Sequence, residues 1–167
     1  MRALVCKEYG PPESLLIEEL EDPQPADGQI LVNVAAAGIN FPDVLSIAGK
    51  YQVKTAPPFI PGNEAAGTVV AVGNGVGRFA VDDKVIVNSR GGAFADKCVA
   101  NEDAVMHLPE KLSFEQGAGF TVTYGTSYHA LKQRAKLQPG ETLLVLGAAG
   151  GVGITAVELG KAMGARV

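Results

Sequence analysis

The chain has 167 residues, of which 47% are hydrophobic and 19% charged, so it carries enough apolar side chain for a folded core and does not have the composition of a disordered protein. Its 14 basic and 18 acidic residues give a net charge of −4, and no run of Lys and Arg could follow a phosphate backbone, which argues against a nucleic-acid partner. At roughly 100 to 200 residues per domain, this length accommodates one domain and part of a second.

Residues up to about 110 read as short β-rich runs separated by turn residues, a spacing typical of a small barrel or sandwich. One helix is expected among them, at 41–48, where Pro42 suits a first turn and Asp43 lies at the positive end of the helix dipole. The predicted strands are 2–7, 15–20, 29–37, 67–72, 84–87, 94–99 and 104–107.

A different pattern begins after Pro109. Ser113 and Gln116 form a capping-box pair that starts a helix-compatible stretch reaching to about residue 133, weakened or divided by its glycines. A β-rich run at 141–146 follows, then a glycine loop at 147–153 and a helix at 154–163 stopped by Gly164. Residues 165–167 resemble the opening of another strand.

The order of strand, glycine loop, helix and strand is that of the first βα unit of a dinucleotide-binding fold. A parallel strand is normally buried among neighbouring strands and covered by helices. Because the sequence stops before a second parallel strand is complete, we interpret the chain as truncated and expect this piece alone to be inactive.

The glycine loop is the clearest candidate binding site. In the fingerprint G-x-G-x-x-G, Gly150 and Gly153 fill the last two positions and Ala148 the first. Glycines there let the backbone approach a pyrophosphate, and the following helix offers its unpaired N–H groups to the anion. We expect Gly150, Gly151, Val152 and Gly153 to bind cofactor; the alternative is a purely structural turn.

The two cysteines, Cys6 and Cys98, are too few for a disulfide framework or a structural zinc site, and we interpret them as reduced thiols of a cytoplasmic protein. The N-terminal apolar stretch is interrupted by charge too early for a signal peptide. No segment approaches the length of about 18 apolar residues that a membrane-spanning helix needs. We therefore expect no membrane partner.

Four separated segments, 38–43, 61–67, 123–131 and 148–153, together resemble the medium-chain dehydrogenase/reductase superfamily in its zinc-independent quinone oxidoreductase branch. The resemblance runs through the whole chain. It implies a fold between α+β and α/β, with a GroES-like β-barrel substrate domain at 1–120 followed by the start of a Rossmann NAD(P)-binding domain at 121–167, incomplete here.

Zinc-dependent members of that superfamily carry Cys or His ligands where this chain has Asn40, Asn63 and approximately Thr123, so that only Glu64 remains of the ligand set. Catalytic zinc needs about three strong protein ligands. The four-cysteine lobe of the zinc enzymes is also missing. We therefore expect no zinc, catalytic or structural.

The resemblance also implies roles for four side chains. Asn40 would orient cofactor and substrate, although it could simply cap the helix at 41–48. Tyr51 would donate a hydrogen bond to the acceptor, unless it is an ordinary half-buried loop residue. Asn63 would line the same pocket, and Thr126 would lie near the nicotinamide, unless its hydroxyl is satisfied by its own helix. Leu45 replaces a second tyrosine of the family, which leaves the substrate preference open.

The function implied is hydride transfer from NADPH to a quinone or similar electrophilic carbonyl compound, in which the protein supplies positioning and a hydrogen-bond donor. NADH is not excluded, because the discriminating residues would follow Val167. Reduction of an enoyl or alkenal double bond is the alternative within enzymes, and nucleotide binding without turnover is the alternative outside them. For the full-length protein, the resemblance implies a homodimer. Asp43 and Glu64 are interpreted as structural rather than as an acid/base pair.

Overall fold

The computed structural model describes every residue, Met1–Val167, and resolves into two compact units, Met1–Gly119 and Phe120–Val167. The first unit is built on antiparallel strands and the second on helices. No helix is both long and apolar enough to span a membrane.

Seven strands make two sheets in the first unit. A two-stranded sheet pairs β1 with β2, and a five-stranded antiparallel sheet has the order β6-β3-β4-β5-β7. All seven predicted strands are confirmed, with ends that shift by up to three residues. The observed bounds are β1 Arg2–Val5, β2 Leu16–Glu19, β3 Gln29–Gly38, β4 Glu64–Val72, β5 Lys84–Asn88, β6 Lys97–Asn101 and β7 Val105–His107.

The two faces of the five-stranded sheet bury different clusters. Successive side chains of a strand point to opposite faces, so Val85 and Val87 join the main core while Ile86 joins a smaller one. Val34 and Ala36 are two residues apart in β3 and would share a face of a regular strand. A bulge between them places Val34 against the main core and Ala36 against the smaller one. The main core comprises Ile30, Val32, Val69, Phe79, Val85, Val87, Cys98, Ala100 and Val105.

Two helices of this unit lie where the sequence predicts them. Helix α1 spans Phe41–Ile47, and α2 spans Phe114–Ala118 and packs through Ala118 against the smaller cluster. The predicted capping box is confirmed, since the Gln116 amide N–H donates to Ser113 Oγ at 3.3 Å and the Ser113 N–H donates to Gln116 Oε1 at 3.0 Å. Cys6 and Cys98 are buried free thiols, and burial raises the pKa of Cys98 to about 12.

The long helical stretch expected after Ser113 is divided, with α2 in the first unit and the remainder in the second. Helix α2 ends before Gly119, α3 spans Thr121–Tyr128, and a π-helical segment continues over His129–Arg134. Helix α4 spans Gly151–Ala162, beginning three residues before the predicted start, and Gly164 follows it with φ +83°. That left-handed conformation is why glycine terminates this helix.

The strand predicted at 141–146 is wrong. This segment forms one isolated parallel bridge, Thr142 with Arg166, and its Leu144 and Leu146 side chains are 80% and 85% exposed. A strand is held by hydrogen bonds to a neighbour along its length, and here only residues 165–167 run beside it. The β-rich composition identified an extended segment without the ladder that would make it a strand.

Gly67 tests how closely β3 and β4 approach each other. A Cβ built on Gly67 would lie 2.0 Å from the main-chain oxygen of Asn33, so one strand would have to move. We expect Gly67→Ala to lower the free energy of unfolding by about 3 kcal/mol, near the upper end of the usual cost of overpacking. Urea unfolding measures it. The matched control is Gly77→Ala, where a Cβ meets nothing within 4 Å; equal stability of both variants would contradict the close approach.

Candidate functional site

Asn40 lies between the end of β3 and the start of α1, where it is the residue that caps the helix. Its main-chain N–H donates to Asp43 Oδ2 at 2.7 Å, and its side-chain Nδ2 donates to Glu64 Oε1 at 2.7 Å. Gly38 makes this possible, because a Cβ there would lie 2.5 Å from Glu64 Oε1 and 2.4 Å from the Ala118 carbonyl oxygen. Asn40 therefore occupies the N-cap position of α1, as the helix-capping alternative expects. Its side chain, however, bonds to Glu64, the first residue of β4.

Asp43 connects the two asparagines predicted for the site. Its side chain is 1% exposed, and Asn63 Nδ2 donates to its Oδ1 at 2.6 Å while Asn40 uses the other oxygen. Burial raises the pKa of Asp43, and the hydrogen bonds from Asn40 and Asn63 oppose that shift by favouring the carboxylate. The nearby Glu64 charge adds to the upward shift. Two neutral amides thus hold a buried acid.

A cavity of about 360 Å³ opens beside this network. Tyr51 and Asn63 both line it, so the structure brings these two predicted residues together with Asp43. Leu45 does not line it. The Leu45 carbonyl accepts hydrogen bonds from the N–H groups of Lys50 and Tyr51, at 2.8 and 3.1 Å, and so fixes the main chain at Tyr51. The remaining lining residues are Ser46, Val53, Thr55, Phe59, Ile60, Pro61, Gly62, Arg90 and Gly91.

Sequence reasoning missed Ser46 and Arg90 as cavity residues. Arg90 directly precedes Gly91 and Gly92, in a short interval between two predicted strands. The available signal was a charged residue placed directly before two glycines in a chain with little clustered charge. Ser46 lies one turn after Asp43 on α1, and its hydroxyl donates to the Pro42 carbonyl at 2.9 Å.

The glycine loop of the second unit is compact and open on one side. Gly147 has φ +70°, Gly150 N–H donates to the Gly147 carbonyl at 3.1 Å, and a Cβ on Gly153 would lie 2.2 Å from that same oxygen. Gly150 is the N-cap of α4, and a Cβ there would find only the Gly147 oxygen, at 3.6 Å. The first-turn N–H groups of α4 have no partner within the helix, as at any helix start. The loop has the space and the donors that an anionic group needs.

A buried hydroxyl pair joins α3 to the start of α4. Ser127 Oγ lies 2.8 Å from Thr155 Oγ1 and 2.8 Å from the Val152 carbonyl oxygen, and both side chains are buried. These contacts fix the loop against its neighbouring helix, and neither residue was predicted. Thr126 is exposed, and its hydroxyl donates to the Val122 carbonyl at 2.5 Å, as the helix-satisfied alternative expects.

Asn63→Ala tests the support of Asp43. Because Asn63 favours the ionised carboxylate, its loss raises the pKa of Asp43 further. The variant therefore loses most stability at a pH above its own raised Asp43 pKa, where the carboxylate is ionised. The loss becomes smaller as the pH falls through that pKa and Asp43 is protonated. We expect a loss of about 2 kcal/mol at neutral pH, typical of a hydrogen bond to a charged group, and a smaller loss in acid. Denaturant unfolding across a pH series measures it.

The control for this series is Asn74→Ala, which removes an exposed amide from Asp27 that it contacts at 3.0 Å. We expect little effect at any pH, since exposed polar pairs contribute little to stability. A pH-independent loss in Asn63→Ala would show that Asp43 is not held as a carboxylate by this amide.

Comparison with known proteins shows which family this chain resembles. The family model described as the alcohol dehydrogenase GroES-like domain matches residues 26–150. A quinone oxidoreductase-like protein 2 homolog of Nematostella vectensis is 42% identical over 99% of this chain and 46% of its own length. A human quinone oxidoreductase is 38% identical over all of this chain and 51% of its own length. The chain thus spans about half the length of these curated relatives.

Solved structures agree closely in fold. A human synaptic vesicle membrane protein VAT-1 homolog-like protein superposes with a TM-score of 0.95 at 31% identity, over 98% of this chain and 53% of that one. The quinone oxidoreductase of Thermus thermophilus, solved alone and with NADPH, has a TM-score of 0.87 at 36% identity over 100% of this chain and 52% of that one. The CurK enoyl reductase has a TM-score of 0.90 at 31% identity, over 98% and 52%.

These matches confirm the resemblance to the quinone oxidoreductases of the medium-chain dehydrogenase/reductase superfamily, and they confirm the fold class. The five-stranded antiparallel sheet with its buried face is the curled half-barrel of the GroES-like fold. The chain belongs to the alcohol dehydrogenase GroES-like domain family and matches the N-terminal half of medium-chain dehydrogenase/reductase proteins, among its quinone oxidoreductase relatives.

Proposed function

We propose that this chain supplies the acceptor pocket and the pyrophosphate-binding loop of a zinc-independent, NADPH-dependent oxidoreductase that reduces a quinone or similar electrophilic carbonyl compound. The observation that carries the proposal is the cavity that Tyr51, Asn63 and the buried Asp43 line together, with Asn63 hydrogen-bonded to Asp43. In this proposal 1–120 is the substrate domain and 121–167 begins the NAD(P)-binding domain.

The acceptor would be held in the cavity by apolar contact and oriented by hydrogen bonds. Val53, Phe59 and Ile60 offer apolar surface of the kind that lines pockets for flat organic ligands. Tyr51 carries a hydroxyl that can donate to a carbonyl oxygen, where negative charge develops as hydride arrives. Asn63 is fixed by its bond to Asp43, so it contributes to positioning at no further ordering cost.

Zinc independence is part of the proposal and rests on donor chemistry. Asn40 and Asn63 present amides, and each amide nitrogen already donates to a carboxylate of the chain. Zinc sites in proteins use thiolate, imidazole and carboxylate ligands. The carboxylates of Asp43 and Glu64 therefore accept hydrogen bonds from the asparagines.

The glycine loop fits the pyrophosphate of a nicotinamide cofactor, with Gly150 leaving room for close approach and the N–H groups of Gly151, Val152 and Gly153 available as donors. When bound, the nicotinamide supplies the hydride. The choice of NADPH is supported by the Thermus thermophilus relative, whose structure was solved in complex with it. Asn40 and Thr126 stay proposed cofactor contacts.

Reduction of an activated carbon–carbon double bond is the second candidate function. The similarity to the CurK enoyl reductase, at 31% identity, favours it specifically. Conjugated enones and quinones share an electrophilic carbonyl, so one Tyr51 hydroxyl could serve either acceptor. Acceptor choice therefore has to be measured.

Turnover can be assayed by the loss of NADPH absorbance in the protein that carries this chain, with a naphthoquinone and with an alkenal as acceptors. We expect the quinone to be reduced faster than the alkenal, and Tyr51→Phe to lower kcat/KM about twofold to thirteenfold, the effect of losing one neutral hydrogen bond of ~0.5–1.5 kcal/mol. Tyr128→Phe is the matched control, because Tyr128 is an exposed residue of α3 and does not line the cavity. Turnover of the alkenal alone would favour the second function, and turnover of neither acceptor would refute both.

Gly150→Ala tests the cofactor loop. A methyl group fits there without touching the chain closely, so the loop should keep its fold, whereas a β-branched residue at Gly151 would press on Thr123, whose Cγ2 lies 3.0 Å from a built Cβ. We expect NADPH affinity to fall at least about tenfold, or ~1.4 kcal/mol, because the methyl occupies the approach of the pyrophosphate. Calorimetric titration measures it, with Gly77→Ala as control. Unchanged affinity would show that the loop is only a turn.

A further inference from the structure

The turn formed by residues 89–92 is fixed to one wall of the cavity. Ser89 N–H donates to the Asn63 carbonyl at 2.8 Å and Gly92 N–H donates to the Ile60 carbonyl at 2.8 Å. Gly91 and Gly92 have φ +114° and +89°, conformations that other residues rarely adopt. The backbone therefore presents Arg90 from a defined place beside residues 60–63.

Arg90 differs from the other two arginines of the first unit. Arg2 pairs with Asp96 at 3.2 Å, and Arg78 donates to the Glu102 carbonyl and lies over the Phe79 ring. The Arg90 guanidinium has no ion pair or hydrogen bond within the chain, and the main-chain N–H groups of Arg90 and Gly91 also donate to no group of it. One cation and two further donors are thus uncommitted beside the cavity.

The acidic and the basic residue that line the cavity differ in exposure and in hydrogen bonding. Asp43 is the acidic residue that lines it, and both carboxylate oxygens already accept hydrogen bonds from Asn40 and Asn63. Asp103 lines a separate depression on which Arg90 also borders, and the two make no ion pair. Arg90 is exposed, so its positive charge lies at the solvent side while the acid is buried.

We propose that Arg90 is a specificity residue that selects acceptors carrying an oxyanion substituent, a carboxylate or sulfonate, on an apolar ring body; this rests on the proposed function for the identity of the ligand as an acceptor. A guanidinium offers a planar fork of donors that matches two oxygens of such a group. Uncommitted main-chain N–H groups next to it add neutral donors of the kind that hold anions in loops. The apolar lining from Val53 to Pro61 would contact the ring body.

The kinetic test compares naphthoquinone with naphthoquinone sulfonate in the protein that carries this chain. The quantity measured is the ratio of kcat/KM for the sulfonate to that for the unsubstituted quinone, which cancels effects of folding and of cofactor binding. We expect Arg90→Gln to lower this ratio at least about tenfold, since a hydrogen bond to a charged group is lost, and Arg90→Lys to restore part of it. Lys111→Gln removes the same charge from an exposed position that does not line the cavity, and should leave the ratio unchanged.

A binding test on the 167-residue chain keeps this inference separate from the proposed function. Calorimetry with naphthalene sulfonate and with naphthol, neither of which can accept hydride, should show preference for the sulfonate in the native sequence and its loss in Arg90→Gln. If no acceptor is reduced but this preference is present, the proposed function fails and the anion site stands. An equal ratio and equal binding in native protein and Arg90→Gln would overturn the inference, as would an equal fall in Lys111→Gln.

Discussion

The buried carboxylate of Asp43 is the constraint on which the rest of the site depends. Moving a carboxylate out of water is costly unless hydrogen bonds replace the lost hydration. Here the main chain at Asn40 and the side chain of Asn63 provide those bonds, at 2.7 and 2.6 Å. The requirement fixes the start of α1 relative to the residues that lead into β4. The positions of Tyr51 and of the cavity depend on the same bonds, because these bonds place α1 and the loop that follows it.

Close backbone approach is the second condition. Gly38 ends β3 where any side chain would overlap Glu64 and the Ala118 carbonyl, and Gly67, paired with Val34 in the middle of the β3–β4 ladder, lets β4 lie against β3. The β3 bulge then turns its last residues toward the face that α2 covers. Asn40 can reach Glu64 only because the strand before it ends in this way. Site geometry and sheet packing are therefore set by the same few glycines.

The sequence predicted the elements better than it predicted their partners. Strand positions and the Ser113 capping box depend on neighbouring residues, so alternation and turn chemistry were enough to find them. The segment 141–146 has a strand's composition but only one bridge to Arg166, and composition carries no information about a missing ladder. Likewise, Asn40 was singled out by resemblance, whereas its bond to Glu64 joins residues 24 positions apart that local pattern cannot pair. The resemblance placed Tyr51 and Asn63 in one pocket, and the structure does the same; their chemical roles stay predictions.

The distribution of charge around the cavity links this support to substrate choice. Asp43 is buried and both of its oxygens accept hydrogen bonds, so it would act on an acceptor through Asn63 and through its own negative field. Arg90 has the opposite character: its exposed guanidinium has no partner in the chain, and the turn that carries it is hydrogen-bonded to the main chain at Ile60 and Asn63. A neutral ring would feel little of either charge, but an anionic substituent is repelled from the inner wall and attracted to the outer edge. Together, Asp43 and Arg90 would then orient an acceptor, with its anion outward and its carbonyl toward the Tyr51 hydroxyl.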